Sequence, residues 1–193
     1  MMTPHWRTIA LITATGVALA VHTALAVDVR VEFDKKFDFT PVRTWAWNPK
    51  GPGDVKMARS SGDDAEAARR RAEPLIVDAV NTEMTRRGLM VATAEPDLTV
   101  TYFLLLTTNM TAQTLGQFLP ATTAWGIPPF APATQSLQVM NQGSLVLDLN
   151  AKETIVWRGV AQAQIKMDAD DKRREALIRE SVRDLLERYP ARR

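Results

Sequence analysis

The carboxylates are the side chains here whose chemistry could serve a reaction. Two histidines, His5 and His22, lie near the N-terminus, and the chain has no cysteine. If a leader is removed after Ala26, the mature chain from Val27 contains neither residue type. That excludes Ser–His–Asp and Cys–His nucleophilic catalysis, imidazole acid–base work, and His/Cys zinc or copper sites. It also excludes disulfides. Carboxylate chemistry is among what survives. A hydrolase of envelope glycans would need two Asp or Glu side chains converging across a cleft at roughly 5–9.5 Å. Asp38, Asp97 and Asp148 are candidates, but each also reads as a turn, strand-end or sheet-surface residue. The acidic run Asp168, Asp170, Asp171 lacks the glycine and distal glutamate of a calcium-binding EF-hand loop. No catalytic residue, metal or cofactor is expected.

The leader itself is legible. Met1–Arg7 carries one arginine, Thr8–Ala20 is apolar and small, and Ala24-Leu25-Ala26 is an A-x-A cleavage signal. Ala18-Leu19-Ala20 is an earlier alternative. The apolar run is only about 12 residues, short of the ~20 that cross a bilayer, although an uncleaved anchor is the competing reading. The expectation is a signal peptide over residues 1–26 and a single domain over 27–193. With no cysteine at the cleavage point to carry lipid, the product would be soluble in a bacterial periplasm or secreted. Charge is nearly balanced, 24 basic against 22 acidic residues, so no basic field argues for nucleic acid.

Hydrophobic periodicity supplies the elements. Val27–Phe33 alternates cleanly, a half-buried strand. Val42–Trp47 is a second, with Trp45 and Trp47 on its core face. Asn48–Gly62 holds two prolines and three glycines and reads as a loop. A helix follows with the stripe Leu75, Ile76, Ala79, Val80, Met84 and a stop at Gly88. Either it begins near Pro74, or Asp63–Glu73 is a helical segment preceding a kink. Arg69–Arg71 and Arg86-Arg87 read as solvated helix faces. Leu89–Ala92 is a short strand. Asp97–Thr107 is a strong one, central and partly covered on both sides. The last helix, Lys172–Tyr189, has the stripe Ile178, Val182, Leu185, Tyr189.

Between them, Gly143–Gly159 reads as a hairpin. A loop of Ala151–Glu153 would set Leu149 opposite Ile155, Leu147 opposite Trp157 and Leu145 opposite Gly159, keeping one face apolar. A two-residue turn would mix the faces. The opposite face, with Val146, Asp148, Val156 and Arg158, would be exposed, and Asp148 and Arg158 would form a diagonal surface ion pair. The architecture that follows is α+β: a two-layer sandwich, a mainly antiparallel sheet with two amphipathic helices on one face.

The stretch 109–142 carries no Asp, Glu, Lys or Arg and gathers Trp125, Ile127 and Phe130 among prolines. An uncharged loop of this length is either a plug over its own core or an apolar surface for a partner or greasy ligand. Candidate binding residues are therefore Trp125, Ile127 and Phe130, with Asp148 and Arg158 on the sheet.

Asp38-Phe39, Arg43-Thr44-Trp45-Ala46-Trp47, Pro96-Asp97-Leu98-Thr99-Val100-Thr101-Tyr102, Gly143-Ser144-Leu145-Val146-Leu147-Asp148-Leu149, Val156-Trp157-Arg158-Gly159 and Arg188-Tyr189-Pro190 occur in this order. Together they resemble the bacterial envelope family called domain of unknown function 4136. The resemblance implies an envelope protein and brings no established catalytic residues. Many members are similar to lipoproteins, from which this cysteine-free chain departs. The functional expectation is a non-enzymatic periplasmic binding or assembly-accessory protein, with an unidentified envelope protein as partner. A carrier holding a hydrophobic ligand under the 109–142 loop is the alternative, and the glycan hydrolase a remoter one.

Overall fold

Strict alternation along the strands decides which side of the sheet receives the helices. The structure, a computed structural model, describes residues 27–58, 64–107, 142–164 and 170–190. Its elements are β1 (Val27–Phe33), β2 (Thr44–Trp47), β3 (Gly53–Ala58), α1 (Ala65–Arg86), β4 (Met90–Val91), β5 (Leu98–Thr107), β6 (Gln142–Ala151), β7 (Thr154–Gln164) and α2 (Asp171–Glu187). They make a seven-stranded mixed sheet in the order β1-β7-β6-β5-β2-β4, with β3 also on β5. The β1, β7, β6 and β5 strands run antiparallel, while β2 and β3 run parallel to β5 and β4 parallel to β2. This is the α+β sandwich expected from the sequence, and β5 is central in it.

Leu98, Val100, Tyr102 and Leu104 of β5 point to one side with Leu145, Leu147, Leu149, Trp157 and Ala161 of the hairpin. Against them α1 lays Ala72, Ile76, Ala79, Val80 and Met84, and α2 lays Val182, Leu185 and Leu186. Asp64 caps α1 by accepting from the backbone N–H of Glu66 and Ala67. Helix α1 then runs unbroken through Pro74, which settles the two readings of its start. Pro74 is solvent-exposed, and its missing N–H leaves one carbonyl a turn earlier without its helical donor. Asp170 caps α2 through the N–H of Arg173. The helices run parallel, joined by Arg179 to Asp78 at 2.8 Å and by Arg87 Nε donating to the Leu186 carbonyl at 2.7 Å.

Two expectations need correction. The first is the loop over 48–62, which contains β3. Its strand signal is only Val55 and Met57, on the helix side, set among glycines and prolines. Strand β2 pairs the first half of β5, Trp45 opposite Leu98, and β3 pairs the second half, Gly53 opposite Tyr102. Glycine is required at 53 because a Cβ there would lie 2.3 Å from the Tyr102 carbonyl oxygen.

The second is the hairpin register. Leu149 faces Trp157, Leu147 faces Gly159 and Leu145 faces Ala161, around a two-residue turn at Lys152-Glu153. A register shift between Leu149 and Asn150 leaves Val156 as the extra residue of a β-bulge. The bulge repairs the face-mixing that a two-residue turn would otherwise cause. It also exchanges two neighbours: Val156 belongs to the helix-side core, and Ile155 does not.

Candidate functional site

The side of the sheet away from the helices carries the chain's polar constellation. Successive strands align Thr101, Asp148, Arg158 and Glu32 in one row. Asn48 extends it, its Nδ2 donating to Thr101 Oγ1 at 3.2 Å. Asp148 and Arg158 sit directly opposite rather than diagonally, and Arg158 forks onto the carboxylate, Nε to Oδ1 and Nη2 to Oδ2, both 2.6 Å. The pair is not exposed as the alternation suggested: the two side chains keep 2% and 1% of their surface. In a further row Gln162 donates to Ser144 Oγ at 3.2 Å, with both residues buried. Val146 and Val160 between these rows are buried too. Alternation specifies which face a residue occupies, not whether that face is covered.

Burial pushes the Asp148 carboxyl up, and the Arg158 fork pulls it back. Held bidentately and out of water, this carboxylate has no open oxygen for a substrate, so it frames the sheet. The other two candidate carboxylates are also engaged. Asp97 Oδ2 accepts from the backbone N–H groups of Arg43 and Thr44, both at 2.8 Å, and from Thr44 Oγ1 at 2.9 Å. Those bonds hold its carboxyl below the ordinary carboxylate range and pin the start of β2 to the start of β5. Asp38 is lowered by Thr40 in an exposed turn. Asp148 lies opposite Thr101, four residues along the strand from Asp97. That separation is about 13 Å at strand rise, beyond the ~9.5 Å reach of a paired-carboxylate glycosidase.

Sequence reading missed one cluster. Tyr102 Oη donates to Glu73 Oε2 at 2.6 Å, and Arg69 Nε donates to the same oxygen at 3.1 Å. The Arg69–Glu73 spacing of four on a helix was legible. The tyrosine was not, because it arrives from a strand 29 residues later. Burial, first, and then Glu73 push the Tyr102 phenol well above its ordinary value, so it is a fixed donor rather than a nucleophile. Among the described residues no group of three His, Cys, Asp or Glu could hold a metal ion. Trp125, Ile127 and Phe130, and the 1–26 leader, lie outside the described residues.

Two further features bear on binding. Among the described residues, the exposed large hydrophobics are Phe33 (38% exposed), Met90 (63%) and Val91 (66%). All three sit on β1 or β4, the two ends of the strand order. Between the helices and the sheet lies a wholly apolar cavity of about 50 Å³, lined by Ile76, Leu104, Leu145, Ala161, Leu177 and Ser181 among others.

These features define an open-sheet α+β sandwich in which Asp97 and Asp148 hold strands together and, among the described residues, the exposed large hydrophobics lie at the sheet edges. The chain belongs to the family described as domain of unknown function DUF4136, whose model matches residues 29–191. No curated protein matches it. It is similar to the solved structure of a DUF4136 family protein from Bacteroides thetaiotaomicron, at 15% identity and a TM-score of 0.48, over 86% of this chain and 98% of that one. It is similar to a PDZ domain protein from Parabacteroides distasonis, also at 15% identity and a TM-score of 0.48; 85% of this chain is covered but only 36% of that one. A PelC dodecamer from Paraburkholderia phytofirmans matches at 10% identity and a TM-score of 0.39, over 87% of this chain and all of that one, 100%. No described helix is long and apolar enough to cross a membrane.

Proposed function

We propose that this is an exported, non-enzymatic binding or assembly-accessory protein of the bacterial cell envelope. The observation that carries the reading is Met90 and Val91. Two adjacent large hydrophobics stand about two-thirds exposed on a terminal strand, where backbone pairing and apolar contact can be offered together. The partner surface is β4, supplemented by the uncharged stretch 109–142. The engagement of Asp38, Asp97 and Asp148 in structural hydrogen bonds supports the absence of a carboxylate reaction.

A photo-crosslinking residue at Met90, in cells producing the full chain, tests this. One discrete cross-linked protein is expected, lost with Val91→Lys and weakened by deleting residues 122–134. If no adduct forms at Met90 while the folded protein accumulates in the periplasmic fraction, the reading fails. Sequencing the N-terminus from that fraction should return Val27.

The apolar cavity favours a second reading, a carrier of a hydrophobic ligand. Its volume of about 50 Å³ admits a methyl-sized group. Sites for drug-sized ligands run to roughly 300–1,000 Å³, which ranks this reading second. Native mass spectrometry showing a co-purifying lipid would reverse that ranking.

A further inference from the structure

We propose that residues 108–141 of the same chain pack over the sheet face turned away from the helices, as a further layer above β5, β6 and β7. Every described strand belongs to the one sheet, and both described helices lie on its other side. Yet Leu105, Val146 and Val160 are buried hydrophobics outside the helix-side core, and the long Arg158 side chain among them is buried too. On an open sheet face an arginine would carry its head into water. The burial holds in a single copy of the chain, so the cover comes from that chain and not from a second one.

The pattern of burial selects the segment. One row across this face runs Asp28, Gln162, Ser144, Leu105, Lys56. Its ends are open, with the Asp28 and Lys56 side chains 62% and 45% exposed, while Gln162, Ser144 and Leu105 keep 6% or less. The next row repeats this, with Arg30 exposed at the edge and Val160 and Val146 buried at the centre. The cover therefore lies over the central strands. A segment arriving at Val27 would come in over Asp28 and Arg30, which are exposed. Residues 59–63 and 165–169 lead to α1 and α2 on the other side, and 191–193 follow α2. Residues 108–141 instead leave β5 and return to β6 where Leu106 pairs Gly143, directly beside the row of Ser144 and Leu105. Adjacent antiparallel strands need only a two-residue turn, as at Lys152-Glu153. This stretch is long enough to cross three strands spaced about 5 Å apart.

Charge fits as well. A charged side chain pressed onto Ser144, Val146 and Val160 would lose its water without gaining a partner, because Asp148 and Arg158 already fork onto each other. Residues 108–141 carry no Asp, Glu, Lys or Arg, and supply Trp125, Ile127 and Phe130 to the apolar part of the strip. The placement does not depend on any partner at β4.

The chain has no cysteine, so single engineered thiols report exposure cleanly. In the folded full chain Asp28→Cys should react at once with a charged thiol reagent, and Val160→Cys only after unfolding. With residues 109–141 replaced by a short glycine-serine linker, Val160→Cys should become reactive while the circular dichroism of the sheet is retained. Should the shortened chain fail to fold, a benzophenone-bearing phenylalanine at Phe103 of the full chain decides. Phe103 lies opposite Val146 on the same face, and its photo-adduct should map by mass spectrometry within 108–141 of the same copy. Val160→Cys reacting as fast as Asp28→Cys in the full chain overturns the proposal. So does continued protection of Val160→Cys in a folded shortened chain. So does a position 103 that gives no adduct within 108–141, or gives its adduct to residues 1–26 or to a second copy.

Discussion

The two faces of the sheet are both buried, and by different means. On the helix side, Trp157, Leu147 and Tyr102 fill space between layers, and stability comes from apolar area and fit. On the other side, Asp148, Arg158, Ser144 and Gln162 are equally hidden, held by hydrogen bonds that leave few polar groups unpaired. An apolar face tolerates trimming in proportion to volume. A buried ionic face is close to all-or-none, because removing one partner strands the other.

The largest expected effect follows from that asymmetry. Arg158→Met should destabilise by about 3–5 kcal/mol, leaving an uncompensated carboxylate, whereas Arg158→Met with Asp148→Leu should be near neutral or stabilising. Urea denaturation of the single and double variants checks it. If the double variant is as unstable as the single, the ion pair contributes more than mutual neutralisation, and the comparison breaks.

On the helix side, Gly159→Ala probes fit. A Cβ at 159 would lie 2.5 Å from the Trp157 ring and 2.7 Å from Leu185. Overpacking there should cost about 1–3 kcal/mol, read as a shift in the urea midpoint with unchanged slope. A neutral outcome would mean the Trp157 ring moves easily and the layer is less tightly fitted than the opposite face.

The smallest effect belongs to neither face. Asp97, at the rim, has its folded carboxyl lowered by the Arg43 and Thr44 N–H groups. Its contribution is present above the unfolded carboxyl value near 4 and is lost as pH falls through the lower folded value. Asp97→Asn should therefore lower stability slightly at neutral pH and flatten the acid limb of the stability profile below about pH 4. A parallel acid limb in both proteins would move that acid sensitivity elsewhere.

Much of the sheet was readable because period-two alternation is a local property. Leu98, Val100, Tyr102 and Leu104 declare a common face wherever their strand lies, and the bulge preserved it in the hairpin even though the pairing shifted by two. Strand β3 was not readable. The alternation of Val55 and Met57 beside Gly51, Pro52 and Gly53 carries too little signal, and only pairing with β5 makes the segment a strand. The candidate site was half readable. Asp148 and Arg158 were paired correctly from their spacing, but their burial and direct opposition were not foreseen, since both depend on the bulge and on what covers the second face. Tyr102–Glu73–Arg69 joins a helix to a strand and has no local signature.

By itself the sequence determined the faces of the strands, the helix stripes and the family. It also determined that no histidine or cysteine lies beyond Ala26. These follow from residue type and spacing, which the backbone's own periods translate directly into geometry. The tertiary structure alone decided that the Asp148–Arg158 pair is buried, that Val156 rather than Ile155 joins the helix-side core, and that β1 and β4 are left at the ends of the sheet. Those depend on strand order and register, set by the packing of segments far apart in the chain.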